Sequence, residues 1–172
     1  MQKKYDIFIS CKSEDYSIAE EVYEFLKGSG LFVFLASREL RKIGRAAYGE
    51  AIDEALDCAK HLIVVTSNAE YVTNSGYVHD EWTMFREELR SGRKDGNIIT
   101  ILKGVSISSL PIGLRNYQTF PFECYKGSIL DYVGSHTDNV DNIERPTKKE
   151  KKLGRFKNWI KKHLRKNHSV EL

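Results

Sequence analysis

Residues 51–82 read AIDEALDCAKHLIVVTSNAEYVTNSGYVHDEW, and this stretch decides the fold. HLIVVTS, residues 61–67, is a continuous apolar run of the kind that forms a strand buried on both faces of a parallel sheet. Helices are predicted on either side of it, over residues 47–59 and from about 77 to 90. A buried strand between two helices is typical of a βαβ unit.

The same alternation continues toward both ends of the chain. Pro121 restricts the last strand to an edge or an end of the sheet. Together these elements predict an α/β fold, a five-stranded parallel sheet with helices on both faces. The remaining strands are predicted at residues 5–10, 31–35, 97–103 and 118–122, and the remaining helices at 13–30 and about 126–132.

In sheets of this kind, ligands bind beyond the carboxyl ends of the strands. Three loops are therefore candidates for a site: residues 10–15, 36–44 and 67–76. The sequence contains no GxGxxG, GxxxxGK[ST], HExxH or GxSxG motif. A conventional dinucleotide-binding dehydrogenase, a P-loop enzyme and a serine hydrolase are therefore not expected.

The charge distribution divides the chain in two. Its 172 residues carry a net charge of +3, but residues 145–172 alone carry +9, which leaves −6 for the rest. We expect one domain over residues 1–136 and a linker with a basic tail over 137–172. The acidic body does not suit nucleic acid, so no specific nucleic-acid partner is expected.

Targeting and metal-binding signals are not evident. No apolar run reaches the length of a membrane-spanning helix, and the N-terminus does not resemble a secretory signal. Three cysteines, Cys11, Cys58 and Cys124, lie far apart, which predicts neither a disulfide framework nor a metal site. The expected location is the cytosol, with the tail able to hold the domain at a membrane surface.

Several blocks resemble TIR (Toll/interleukin-1 receptor) domains in the same order along the chain. YDIFISCKSED resembles the first strand and loop of the family, and FVFLASREL resembles its second strand and BB loop. The family places an acidic residue four positions after an aromatic one at the start of a helix. Tyr77 and Glu81 match that pattern, preceded by Ser75. The resemblance covers residues 4–134 and implies a flavodoxin-like TIR fold.

The resemblance also implies a function, cleavage of NAD+ at its nicotinamide bond by Glu81. NAD+ would be the substrate, with no cofactor and no metal. Breaking that bond builds positive charge on the ribose, and a nearby carboxylate stabilises such a cation, as in glycosidases. Without the resemblance, Glu81 would be interpreted as a solvated first-turn residue favoured by the helix dipole.

Four further residues are expected to bind the substrate. Ser10 and Lys12 follow the first strand and suit a ribose or diphosphate, while Arg38 adds positive charge in the second loop. Tyr77 lies one turn before Glu81 on the same helix face and could stack on a ring of the substrate. The alternatives are a solvated basic loop for Arg38 and a core or interface aromatic for Tyr77.

Two classes of function remain open on the sequence. One is an NAD+ glycohydrolase or ADP-ribosyl cyclase of the bacterial stand-alone type, whose nucleotide product signals to a separate effector in anti-phage defence. The other is a non-catalytic module that pairs with TIR domains, as a signalling scaffold or by interfering with host signalling. Self-association through TIR–TIR contacts is expected in both.

The sequence of the tail, residues 137–172, predicts a basic amphipathic helix. Leu153, Phe156, Ile160 and Leu164 recur at helical spacing among lysines and arginines. Such a helix suits an anionic membrane or an acidic partner. The alternatives are a disordered tail and a helix that packs on the acidic body.

Truncation after Asn142 should separate NAD+ cleavage from binding of the chain to a membrane surface. We expect the shortened chain to keep NAD+ cleavage in dilute solution and to lose sedimentation with anionic liposomes at low salt, since each basic residue near such a surface contributes about 1 kcal/mol. Sedimentation and nicotinamide release measure the two properties. A full-length chain that ignores liposomes, together with a truncated domain that unfolds, would instead show a structural helix.

Overall fold

In the computed structural model, the described residues are 5–40, 45–74 and 76–134, with the side chains of 45–47 excepted. They form a five-stranded parallel sheet in the order β2-β1-β3-β4-β5. This order and the parallel pairing confirm the predicted flavodoxin-like architecture. The strands are β1 (Tyr5–Cys11), β2 (Val33–Leu35), β3 (Ala59–Thr66), β4 (Ile98–Leu102) and β5 (Gln118–Pro121).

Helices connect the strands and cover the sheet. Short 3₁₀ turns at Ser13–Asp15, Ile107–Ser109 and Tyr125–Gly127 accompany them. The helices are α1 (Tyr16–Gly28), α2 (Ala36–Glu39), α3 (Arg45–Cys58), α4 (Glu70–Thr73), α5 (Tyr77–Arg90), α6 (Ile112–Arg115) and α7 (Ile129–Gly134).

Two apolar clusters lie on opposite faces of the sheet. Side chains alternate along β1, so that Ile7 and Ile9 enter one cluster while Phe8 enters the other. The first cluster is closed by α1 and α7, through residues such as Val22 and Val133. The second cluster is closed by the buried residues of α3, α4, α5 and α6. Helices on both faces were predicted, and the structure confirms them.

The edges of the sheet differ in detail from the prediction. β5 is an edge strand, as Pro121 requires. β2, at the other edge, is two residues shorter than expected, and Phe32 before it is 66% exposed. The Phe32 amide donates a hydrogen bond to the carboxylate of Asp6 at 2.8 Å, a contact outside the regular pairing of β2 with β1. An edge strand has one neighbour, so its ends pair less completely than those of a central strand.

Two predicted loops contain short helices. The segment after β2 forms α2, and residues 41–44 of the predicted loop lie outside the described residues. The segment after β3 forms α4, where the Asn68 side chain accepts a hydrogen bond from the Glu70 amide at 3.0 Å. Such helices of one turn carry no apolar periodicity, which is why the sequence did not predict them.

Gly96 sets the turn that leads into β4. Its φ is +127°, and a Cβ atom there would lie 1.7 Å from the backbone oxygen of Lys60. No other residue fits without moving one of the two central strands that meet at this turn.

The structure leaves part of the prediction untested. The expected boundary at residue 136 and the basic tail lie outside the described residues and stay predictions. Among the residues that are described, no helix is both long enough and apolar enough to span a membrane.

Candidate functional site

The carboxyl ends of β1 and β3 are joined by a buried carboxylate. Asp15 follows β1 in a 3₁₀ turn and is 1% exposed. It accepts hydrogen bonds from the Ser67 amide at 3.0 Å and from the Ser67 hydroxyl at 2.5 Å. Two of the three loops selected from the sequence are thereby fixed against each other at the end of the sheet where ligands are expected.

Glu81 lies at this end of the sheet, on α5. Ser10, near the end of β1, is 1% exposed, and its hydroxyl donates a hydrogen bond to Glu81 Oε2 at 2.5 Å. The Glu81 side chain is partly buried rather than solvated. The interpretation of Glu81 as a fully solvated first-turn residue therefore does not hold, since a buried hydroxyl orients its carboxylate.

The packing of α5 fixes the direction of Glu81. Val78, Trp82 and Phe85 are buried on the helix face that closes the second apolar cluster. The Trp82 indole also donates a hydrogen bond to the Val72 carbonyl of α4, at 2.9 Å. With Trp82 anchored inside, the neighbouring Glu81 is held at the border between the core and the surface, within reach of β1.

Burial and neighbouring charge change the acidity of Glu81. Burial raises the pKa of its carboxyl to about 7, the hydrogen bond from Ser10 lowers it, and the carboxylates of Asp53 and Asp80 raise it further. Near neutral pH the group is therefore divided between its acid and its anion. A carboxyl with such a pKa is found more often at functional sites than elsewhere.

Asp53 is a second carboxyl group of the site, and the sequence analysis missed it. It lies on α3, which packs beside α5, and its side chain is partly buried. Burial, followed by the charge of Glu50, raises its pKa to about 6. Asp53 flanks the apolar stripe of α3, with buried Ala55 and Leu56 just beyond it. An acidic residue at the border of an apolar stripe is the signal that could have identified it.

Tyr16 and Cys11 are close enough to Glu81 for its charge to raise their pKa values. Tyr16, the first residue of α1, is 36% exposed, and its pKa is raised by burial and then by Tyr48, Cys11 and Glu81. Burial and then the charge of Glu81 raise the pKa of the Cys11 thiol to about 12, which keeps it protonated. The sequence assigned no role to either tyrosine.

The predicted substrate-binding residues fall in different places. Ser10 contacts Glu81, as described, and Lys12 is exposed on the loop after β1. Tyr77 is 75% exposed at the start of α5, which excludes a core role. Their binding roles stay predictions.

Arg38 is not brought to Glu81. Its guanidinium pairs with Glu20 at 3.1 Å and with Glu24 at 3.3 Å, both on α1. The adjacent Glu39 accepts a hydrogen bond from the Tyr23 hydroxyl, also on α1, at 3.2 Å. Helix α2 is thus held against α1. Arg41 and Lys42, two other basic residues of the loop after β2, lie outside the described residues. Ser75, which precedes α5, also lies outside them.

The described part of the chain was not predicted to hold a metal site. Within it, no group of three or more His, Cys, Asp or Glu side chains is placed to share a metal ion.

Comparison with known families identifies the domain. A family model described as "TIR domain" matches residues 7–126. The chain belongs to the TIR domain family. This agrees with the resemblance of the quoted sequence blocks, and the match includes Ser10, Asp53 and Glu81. No curated protein matched the chain.

Solved TIR structures share the fold at low identity. A metazoan TIR-STING receptor from C. gigas, in complex with 2',3'-cGAMP, is 21% identical with a TM-score of 0.60, over 77% of this chain and 40% of the receptor. The TIR domains of the activated Roq1 resistosome are 14% identical with a TM-score of 0.51, over 80% and 99%. A Toll-related receptor TIR domain from Hydra magnipapillata is 20% identical with a TM-score of 0.50, over 78% and 98%. The chain thus spans less than half of the TIR-STING receptor.

Two substitutions should shift the pKa of Glu81 in opposite directions. Ser10→Ala removes the hydrogen bond that favours the anion, so the pKa should rise by about one pH unit, as expected for a hydrogen bond to a charged group. Asp53→Asn removes a neighbouring negative charge, so the pKa should fall. NMR titration of ¹³C-labelled glutamate carboxyls measures both, with Glu81→Gln to assign the signal. If both substitutions shifted the pKa of Glu81 in the same direction, the contacts assigned here to Ser10 and Asp53 would be wrong.

Proposed function

We propose that this TIR domain cleaves NAD+ at the bond between nicotinamide and ribose, with Glu81 as the catalytic carboxylate. The observation that carries the proposal is the hydrogen bond from buried Ser10 to Glu81 at the carboxyl end of the parallel sheet. It presents one carboxylate oxygen in a fixed direction at the place where this fold binds ligands. The products would be nicotinamide and an ADP-ribose derivative.

The chemistry requires an anion near the ribose. The bonding electron pair leaves with nicotinamide, which becomes neutral, and the positive charge passes to the ribose carbon and ring oxygen. A carboxylate held beside that cation stabilises it most strongly where water is scarce. Water, or a nucleophile within the same or another molecule, then forms the new bond at that carbon and loses its proton.

The raised pKa of Glu81 sets a condition on this role. Only the anion stabilises a cation, so the active fraction increases as the pH passes through about 7. Ser10 opposes the effect of burial by donating to the anion. The buried hydroxyl thus keeps a useful fraction of Glu81 ionised at neutral pH while the protein around it excludes water.

The remaining predicted contacts are part of the proposal. Lys12 is exposed on the β1 loop, where an ammonium could pair with the diphosphate. Arg38 would have to leave Glu20 and Glu24 to reach a substrate of the same copy. We therefore propose that the segment 36–44 of a neighbouring copy completes the site when the domains self-associate. The proposed setting is the bacterial cytosol, where a separate effector reads the nucleotide product.

A second candidate function is a non-catalytic TIR–TIR interaction module. It is favoured by large apolar side chains that are exposed, with Phe32 66% exposed beside β2 and Ile112 71% exposed on α6. Either one could take part in a contact between domains. A scaffold, however, has no use for the carboxyl group that Ser10 orients, and for this reason we favour the enzyme.

Glu81→Gln should abolish NAD+ cleavage without unfolding the domain. Glutamine has the same shape and no negative charge, so nicotinamide release should fall by about 10²-fold or more. Glu87→Gln is the matched control, because Glu87 is exposed on the same helix, where its carboxylate accepts a hydrogen bond from Arg86 at 3.5 Å. The measurement is nicotinamide release beside a thermal melt. Wild-type turnover by a folded Glu81→Gln variant would remove Glu81 from the mechanism.

Specific activity should rise steeply with protein concentration or with an added trigger. The reason is that Arg38 of each copy is paired with Glu20 and Glu24 of its own α1, so a neighbouring copy is proposed to complete the site. A wide dilution series with light scattering in parallel tests this. Constant specific activity in a strictly monomeric sample would show that each copy holds a complete site.

A further inference from the structure

Asp15 is a buried carboxylate to which the proposed chemistry gives no role. Its side chain is 1% exposed, and its two oxygens accept separate hydrogen bonds from Ser67, one from the amide at 3.0 Å and one from the hydroxyl at 2.5 Å. Hydrogen bonds have preferred lengths and directions, so two bonds between the same pair of residues fix their relative position closely. Asp15 therefore determines where the chain leaves β3.

The segment that follows β3 is held by its own hydrogen bonds as far as the end of α4. The Thr66 hydroxyl donates to the Asn68 carbonyl at 2.7 Å, and the Asn68 side chain accepts from the first amide of α4 at 3.0 Å. At the other end of α4, the Thr73 hydroxyl donates to the Ala69 carbonyl at 2.7 Å. A displacement of Ser67 would therefore be transmitted to α4.

Helix α4 is bonded in turn to the helix that carries Glu81. The Val72 carbonyl of α4 accepts a hydrogen bond from the Trp82 indole of α5 at 2.9 Å. Val72 is completely buried and Trp82 is 4% exposed, so this bond lies inside the core. Glu81 directly precedes Trp82, and its direction depends on where the indole is held.

These contacts form a closed ring at the end of β1. Glu81 accepts a hydrogen bond from Ser10 at 2.5 Å, and Ser10 precedes Asp15 by five residues on the same segment. The ring runs from Asp15 to Ser67, through α4 to Trp82, and from Glu81 back to Ser10. Each member of such a ring is positioned from two directions, so the loss of one contact should weaken the others.

We propose that Asp15 is a positioning residue for Glu81, which it holds against Ser10 through Ser67, α4 and Trp82. The importance of this position for catalysis rests on the proposed function, whereas the position itself does not. If Glu81 stabilises a cation on the ribose, its distance from the ribose matters, and a misplacement of about 1 Å can lower turnover by about 10²-fold.

A double-mutant cycle tests whether Asp15 and Ser10 act on the same carboxyl group. In the wild-type background, Ser10→Ala should raise the pKa of Glu81 by about one pH unit. In the Asp15→Ala background Glu81 is no longer held against Ser10, so the same substitution should shift that pKa by less than about 0.3 unit. NMR titration of ¹³C-labelled glutamate carboxyls in the full chain measures all four pKa values.

Two controls separate the contacts of Asp15 from its charge and from general destabilisation. Asp15→Asn can accept from the Ser67 amide and donate to the Ser67 hydroxyl oxygen, so it keeps two bonds without the charge and should restore most of the effect of Ser10→Ala. Asp6→Ala removes a carboxylate that accepts a hydrogen bond from the Phe32 amide near the other end of β1. It should leave the effect of Ser10→Ala unchanged.

Thermal melts establish which variants are folded. If Asp15→Ala unfolds, Ser67→Ala replaces it in the cycle, because it removes the hydroxyl bond and keeps the bond from the amide. It should reduce the effect of Ser10→Ala in the same direction. In NAD+ cleavage, folded Asp15→Ala should lower kcat between about tenfold and 10²-fold and change KM less, and Asp15→Asn should restore most of the turnover.

The outcomes distinguish the inference from the proposed function. If Ser10→Ala shifts the pKa of Glu81 equally in the wild-type chain and in folded Asp15→Ala or Ser67→Ala, Asp15 does not position Glu81, even if NAD+ is cleaved. If Asp15→Asn behaves as Asp15→Ala does, the charge of Asp15 is responsible and the inference is also wrong. A reduced shift in a chain that never releases nicotinamide supports the positioning role and refutes the proposed enzyme.

Discussion

The buried carboxylate of Asp15 is the constraint on which the site depends. Removing a charge from water costs several kcal/mol unless hydrogen bonds replace the lost hydration. The amide and hydroxyl of Ser67 supply two such bonds, and both come from the loop that follows the neighbouring central strand, β3. The carboxylate thereby connects two loops whose relative position the sheet itself does not determine. Tyr16 follows Asp15 directly, so the geometry of the site begins at this contact.

A second carboxyl group, Glu81, is placed where ionisation is costly. Its pKa of about 7 lies above the ordinary value of 4.5, so the native state binds its proton more tightly than the unfolded chain does. Between those two values the group therefore lowers the stability of the fold as the pH rises, and the loss is complete above about 7. Asp53, with a pKa raised to about 6, acts in the same direction. Under the proposed function the active form would be the anion, and the protein would then be least stable at the pH values at which that form is populated.

The sheet was predictable from the sequence because its central strands are continuous apolar runs with helices between them. The single-turn helices and the ends of edge strand β2 were not predictable from the sequence. They depend on local hydrogen bonds such as those accepted by Asn68 and Asp6. Glu81 was identified by resemblance to the family. Ser10, the hydrogen-bond partner of Glu81, could have been predicted from the sequence pattern alone. Alternation along β1 puts Ser10 on the same face of the sheet as Phe8, and α3 and α5 cover that face.

Other parts of the site depend on contacts between distant segments. Arg38 was expected near the substrate, but its ion pairs join α2 to glutamates of α1 that lie 18 and 14 residues earlier in the chain. Asp53 and Tyr48 are on a helix whose pattern shows only which side faces the core. The approach of Asp53 to Glu81 follows from how α3 and α5 pack on one face of the sheet, and no single-segment pattern contains that information.

The hydrogen bond between Ser10 and Glu81 could also be regarded as a structural link between β1 and α5. A glutamine at position 81 would accept the same hydrogen bond through its amide oxygen, without the cost of ionising a partly buried group. The chain instead has a carboxyl group there, with Asp53 and Asp80 raising the cost of its charge. This negative charge makes the fold less stable and adds no hydrogen bond to the link between β1 and α5. Such a charge is understandable if it stabilises a positive charge on a ligand, and the proposed cleavage of NAD+ would produce a positive charge on the ribose.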